Sequence, residues 1–309
     1  MRSLALALVL LFSSCQPAIE TASNSADAKL AADVAALSSA KEKLVPFFKP
    51  MHAEEGDWLE SYPENGQTFE QYVNSDPVLP TAERKTIYIQ PMGKFTRQQK
   101  EVINLTADYM RAFFNLPVEL REVLPLKNLP PENIRIQYPD NEQIRTSYFI
   151  DGILPKMIPA DAAAFICFTN YDLFPGDTWN FVFGQASLRN RVGVWSLWRL
   201  EKDDLGKKVS KELLLARTLK IAMHETGHMF SMTHCTKYEC LMSGTNHLAE
   251  TDRRPLDTCP ECSAKIAWAM KYPLFDRYKR LAEFWGRQGK RSEQKLMHDK
   301  AESICDCRL

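Results

Sequence analysis

No charge of either sign is in excess: 39 Lys and Arg stand against 39 Asp and Glu in 309 residues, a formal net charge of zero. Nucleic-acid binders usually carry a basic excess or patch, so no nucleic-acid partner is expected. Beyond the first dozen residues no apolar run is long enough to span a bilayer, which excludes a multi-span membrane protein. Internal repeats and a collagen-like period are missing too. Cysteine is sparse at eight, too few for a scaffold of this length built on disulfides, and histidine is rarer still at six. With 45% hydrophobic and 25% charged residues, most of the chain should fold, as one large domain or two modest ones. The two rare residue types matter through their positions.

The N-terminus runs Met1-Arg2, an apolar stretch from Leu4 to Phe12, then Ser13-Ser14-Cys15. That pattern describes a secretory signal over residues 1–14, and its apolar run is about half the ~20 residues a spanning helix needs. Phe12-Ser13-Ser14-Cys15 resembles a bacterial lipobox, with Phe12 where Leu is more usual. The resemblance implies an exported lipoprotein anchored through lipidated Cys15, at the outer membrane or periplasmic face. An ordinary cleaved signal with an incidental Cys is the alternative. Residues 15–43, rich in Ala, Ser, Asp and Lys and lacking aromatics, are expected to form a flexible tether. Residues 44–85 hold Trp58, Phe69, Tyr72 and several prolines with little periodicity, which predicts an irregular packed extension.

A folded subdomain is expected over 86–230. Thr86-Ile87-Tyr88-Ile89-Gln90 reads as a strand stopped by Pro91 and Gly93. Val102, Leu105, Tyr109, Met110 and Phe113 recur at three and four, which predicts a helix over 97–114. Strands are expected at 118–124, 133–138, 163–169, 180–186 and 192–199, and a second long helix over 209–230. A β layer flanked by two long helices is an α+β or α/β arrangement. Residues 231–309 begin Cys-, Asp- and Pro-rich and offer one helical region at 262–288, a compact subdomain held by something other than a core. The charged run from Lys279 to Lys300 reads as a solvated face, Cys167 as a buried thiol, and Asp151, Asp172 and Asp177 as turn residues. No function is assigned to Cys305 or Cys307.

The decisive stretch is His224-Glu225-Thr226-Gly227-His228-Met229-Phe230-Ser231-Met232-Thr233-His234. Residues four apart share a helix face, so His224 and His228 can bind one ion. Glu225 sits beside that ion without being needed as a ligand, and there it can accept a proton from metal-bound water. His234 is too far along to ligate unless the chain turns near 230–233; it is preferred over His247 as the third ligand. Three neutral nitrogens and an open position suit a catalytic Zn²⁺, which lowers the pKa of its water to roughly 7 and polarises a carbonyl. Cys235, Cys240, Cys259 and Cys262 follow as two close pairs, the spacing of a structural four-cysteine zinc site. A pair of disulfides is the alternative, with weight because an exported protein meets oxidising conditions.

The stretch HETGHMFSMTHCTKYECLM, followed by CPEC, resembles the signature of the archaemetzincin family of zinc metallopeptidases. The resemblance implies a metzincin-like zincin fold of class α+β: a twisted mixed β-sheet with a backing helix and an active-site helix, then a small Cys-rich, zinc-stabilised C-terminal subdomain. It implies two zinc ions per chain, one catalytic on His224, His228 and His234 and one structural on Cys235, Cys240, Cys259 and Cys262. It gives Glu225 the general-base position and Met242 that of the Met-turn methionine. Ile87–Gly93 is similar to the family's first strand, Asn180–Ala186 to its edge strand, and Gly56–Leu59 and Gly66–Phe69 to an extension of longer members. Ser231 departs from the pattern: the family has Gly there, where the backbone must turn for the third His to swing back, at a cost on the order of 1 kcal/mol for any other residue.

The expected activity is hydrolysis of peptide bonds in a peptide or protein substrate lying along 180–186, by a zinc-bound water with Glu225 as base. Two rivals use the same residues: a zinc amidase or deacylase acting on non-peptide amides, and a catalytically silent zinc-stabilised surface binding protein. Oligomeric state is not readable from the sequence.

Overall fold

Two β-strands with almost no polar residue form the centre of the molecule, β1 (Thr86–Met92) and β5 (Ala162–Thr169). Between them fall β2 (Val118–Leu120), β3 (Ile134–Tyr138) and β4 (Asn141–Arg145), and after them β6 (Asp172–Phe174), β7 (Gly184–Ala186) and β8 (Val192–Ser196). This computed structural model describes residues 17–138, 141–203 and 205–305; Cys15 and Cys307 lie outside the described residues. The main sheet runs β2-β1-β5-β8-β7, parallel except for β7, which pairs antiparallel with β8 at the edge. Strands covered on both faces read as continuous apolar runs, and every residue of β5 and β8 is buried. A second sheet, β3-β4-β6, lies apart from it.

Pro91 does not stop β1, which continues to Met92. Pairing with β2 covers only Ile87 to Ile89, so the donor that proline lacks falls where β2 has ended. The polar strand β4 and the three-residue β6 carry too little alternation to be read from sequence. Asp172, expected in a turn, is instead buried in β6, where Arg199 Nε and Nη2 donate to its carboxylate at 2.8 and 2.7 Å.

The helices are α1 (Pro17–Leu44), α2 (Trp58–Ser61), α3 (Phe69–Val73), α4 (Arg97–Phe114), α5 (Leu154–Met157), α6 (Lys211–Met229), α7 (Leu248–Arg253), α8 (Pro260–Met270), α9 (Leu274–Arg287) and α10 (Arg291–Ser303). Thr96 and Gln99 form a reciprocal capping box that starts α4, and Ser210 caps α6 by accepting from Leu213 N–H. α4 packs against strand β2 of the main sheet and against α6 and α9, which makes it the backing helix.

Four further expectations need correction. The flexible tether over 15–43 is largely helix α1, rich in helix-forming Ala, whose Leu37, Ala40 and Leu44 bury and which packs on α8. The helix expected at 262–288 is two helices, because Lys271 takes a left-handed φ of 55° and Pro273 follows. The C-terminal region is not short of core: Tyr109 of α4 packs on Phe284 and Trp285 of α9 at ring distances of 4.9 and 5.6 Å, and one apolar core runs from Leu37 to Ile304. Nor is its charged run wholly solvated, since Lys300 is buried, donating to Asp257 at 2.8 Å beside Arg277.

Candidate active site and metal centres

His224 and His228 project from the last two turns of α6, with ring centroids 4.5 Å apart. The helix ends at Phe230, and Ser231 takes a φ of 63°. That left-handed residue turns the chain back, and His234 arrives with its ring 5.2 Å from His224 and 5.0 Å from His228. One nitrogen from each of the three lies within 4.8 Å of the others.

Every Nδ1 atom has an outside partner. The Leu241 carbonyl lies 3.0 Å from His224 Nδ1, the Met232 carbonyl 2.6 Å from His228 Nδ1, and the Glu64 carboxylate 2.9 Å from His234 Nδ1. Carbonyl and carboxylate oxygens can only accept, so each Nδ1 carries a proton, and in the neutral ring the lone pair is then on Nε2. His224 Nε2 and His228 Nε2 then face one another at 3.0 Å with no proton between them. A shared cation is what makes such a pair favourable, so the donor set fits zinc. Burial, followed by the neighbouring imidazoles, pushes the pKa of His224 well down, and burial brings His228 to about 4. Both stay in the neutral form that ligates.

Glu225 points from the same helix into a cleft of about 860 Å³, whose walls include Gly184 of β7, Thr233, Leu241 and Asn246. Burial raises its carboxyl to about 8; a cation beside it would act in the opposite direction. Gly184 admits it: a Cβ there would lie 3.0 Å from Glu225 Oε1 and 2.8 Å from Trp195 Cβ.

The four cysteines Cys235, Cys240, Cys259 and Cys262 converge, with sulfurs within 4.8 Å of one another and all buried. Cys235 Sγ stands 3.5 Å from Cys259 Sγ. Cys240 Sγ accepts from Cys259 N–H at 3.2 Å and Met242 N–H at 3.4 Å, contacts that favour a thiolate. Burial raises Cys240 and Cys259, while bonds from the other thiols lower Cys235. Four thiols at this spacing cannot all ionise without a cation, and this set fits a tetrahedral zinc.

Met242 lies under the active-site helix: a Cβ on Gly227 would fall 2.6 Å from its sulfur. His247 lines the same cleft but does not join the three histidines. It caps α7, its Nδ1 accepting from Glu250 N–H at 3.1 Å, and its Nε2 is 3.6 Å from Asp57. Sequence reasoning missed Glu64, and also the aromatic group that walls the cleft, Trp58, Tyr62 and Trp179, with ring centroids 4.7 to 6.0 Å apart. Nothing local marks Glu64, since its partner lies 170 residues away.

Comparison with known proteins agrees with this geometry. The family model "Peptidase family M54" matches residues 157–268. Archaemetzincin-2 of Homo sapiens is 36% identical over 260 residues, spanning 74% of this chain and 71% of that protein, and archaemetzincin-2 of Macaca fascicularis is 35% identical over 263. The chain belongs to the archaemetzincin family. It is therefore a zinc metallopeptidase, a hydrolase. The crystal structure of archaemetzincin from Methanopyrus kandleri is similar in fold, with a TM-score of 0.50 at 24% identity over 62% of this chain and 98% of that one. The mixed sheet, backing helix, active-site helix and C-terminal cysteine cluster are those the family resemblance implies.

Proposed function

We propose that the protein hydrolyses peptide bonds with Glu225 as general base, at a site where His224, His228 and His234 hold a catalytic zinc and Cys235, Cys240, Cys259 and Cys262 a second, structural one. The observation that carries this is the facing of bare histidine nitrogens beside a buried, otherwise unpartnered carboxyl. His224, His228 and His234 would hold the zinc, which would supply Lewis acidity to a water and to the scissile carbonyl. Glu225 takes a proton from the attacking water and returns it to the leaving amine, an exchange its burial favours. Edge strand β7 offers main-chain groups on the side away from β8, where an extended peptide can pair. That pairing favours peptides over small non-peptide amides, and the retained Glu225 argues against a silent binding protein.

Glu225→Gln is expected to abolish turnover of peptide substrates while the His-site zinc stays bound. Retained turnover in that variant rejects the general-base role. For location, we propose export and a lipid anchor at Cys15, resting on the sequence of residues 1–15. Among the described residues no helix is long and apolar enough to cross a membrane. Mass spectrometry of the mature N-terminus, expected to show acylated Cys15, tests this.

A further inference from the structure

His234 differs from its two partners. His224 and His228 ride on a helix, and backbone carbonyls close by in the fold hold their Nδ1 atoms. His234 follows a turn with a left-handed serine and has a carboxylate partner from the N-terminal extension. The same extension touches nearly every residue of that turn. Tyr72 donates its hydroxyl to the Phe230 carbonyl at 2.8 Å. The Gln67 amide donates to the Ser231 carbonyl and accepts from Thr233 N–H, both at 3.4 Å. Val78 N–H donates to Ser231 Oγ at 3.0 Å. Glu64 is itself fixed by the Trp58 indole N–H at 2.5 Å, and Trp58 stands edge-on to His234 at 5.3 Å.

We infer that Glu64 is a positioning residue for the third zinc ligand, and that residues 64–78 brace the turn that presents it. The inference rests on reading His224, His228 and His234 as a zinc site. A carboxylate accepting Nδ1–H fixes the ring's tautomer and direction and strengthens Nε2 as a donor. The brace also accounts for a non-glycine residue at 231: its hydroxyl, donating to Leu188 O and accepting from Val78 N–H, offsets the backbone strain. The irregular extension is thus a wall of the active site, joined to it by hydrogen bonds through Glu64 and Gln67 and by the Trp58 ring.

The test is zinc affinity in full-length Glu64→Ala and Glu64→Gln, by competition with a chromogenic chelator, with His228→Ala as control and visible spectra of the cobalt-substituted forms. His228→Ala is expected to lose the His-site ion. Glu64→Ala should hold it about 10–100-fold more weakly. Glu64→Gln should fall between, since an amide oxygen still accepts Nδ1–H without the charge. The cobalt–thiolate absorption of the cysteine site should not change in either Glu64 variant. Wild-type affinity and an unchanged His-site spectrum in Glu64→Ala overturn the inference while leaving the zinc site standing. The same number of bound ions in His228→Ala as in the wild type overturns the site reading and the inference with it. Loss of the thiolate absorption in both Glu64 variants assigns Glu64 to folding, and overturns the positioning role.

Discussion

Ser231 shows how a single residue can depart from a family pattern without losing the geometry the pattern serves. Its φ of 63° costs on the order of 1 kcal/mol relative to glycine. Its hydroxyl makes two hydrogen bonds of 3.0 Å, each contributing about 1 kcal/mol. These magnitudes predict an order. Ser231→Ala keeps the strain and loses both bonds, so it should lower unfolding free energy by ~1–3 kcal/mol. Ser231→Gly loses the bonds but relieves the strain, and should stay within ~1 kcal/mol of wild type. Denaturant unfolding of the two variants decides; an alanine variant as stable as the glycine one rejects the account. At this scale the sequence was legible where partners are close along the chain. His224, His228 and Glu225 share one helix, and His234 needs one turn. Glu64 was not legible, because an isolated acidic residue in an irregular segment carries no spacing that points to a histidine 170 positions on.

Elements read well from sequence where burial is one-sided or total. α4 shows the helical period, α6 opens on a leucine-rich run, and β1, β5 and β8 are apolar runs bounded by breakers. α1 was obscured because most of its surface is polar, although Val34, Leu37, Lys41 and Leu44 do recur at three and four. Lys41 is buried there, donating to Glu70 and Glu261, so even its core stripe contains a charge. The expected strand at 180–186 proved shorter, as β7, Gly184 to Ala186. Its glycine sets the distance between the strand and Glu225 of α6. Adding a methyl in Gly184→Ala meets Trp195 Cβ, which cannot swing away, and the Glu225 side chain. The strand or Glu225 must shift. Expected are a stability loss of ~1–3 kcal/mol and a fall in turnover of about 100-fold, with zinc still bound. Peptidase assays with metal analysis check this, and wild-type turnover in Gly184→Ala would remove β7 from the substrate site.

For the whole molecule, the two centres are not independent, because one segment builds parts of both. Cys235 follows His234 directly, and its N–H donates to the Met242 carbonyl at 2.8 Å. Leu241, between Cys240 and Met242, gives its carbonyl to His224, while its N–H donates to the Asp257 carbonyl at 3.0 Å. Asp257 in turn holds Arg277 of α9 and Lys300 of α10. A metal on the four sulfurs would therefore fix the loop that orients one histidine and begins beside another. Cys262 enters the cluster from α8, away from that loop, which makes it the cleanest place to test the link. Cys262→Ser should lose the cysteine-site ion and at least ~3 kcal/mol of stability. It should also weaken zinc at the histidine site, although no histidine has changed. Calorimetry and metal analysis on the same sample separate the outcomes. A variant that keeps wild-type stability and a full-affinity histidine site would show that the cysteine cluster is dispensable to the catalytic centre. Weakened zinc at the histidines, with the fold still cooperative, would show that the structural centre sets the affinity of the catalytic one.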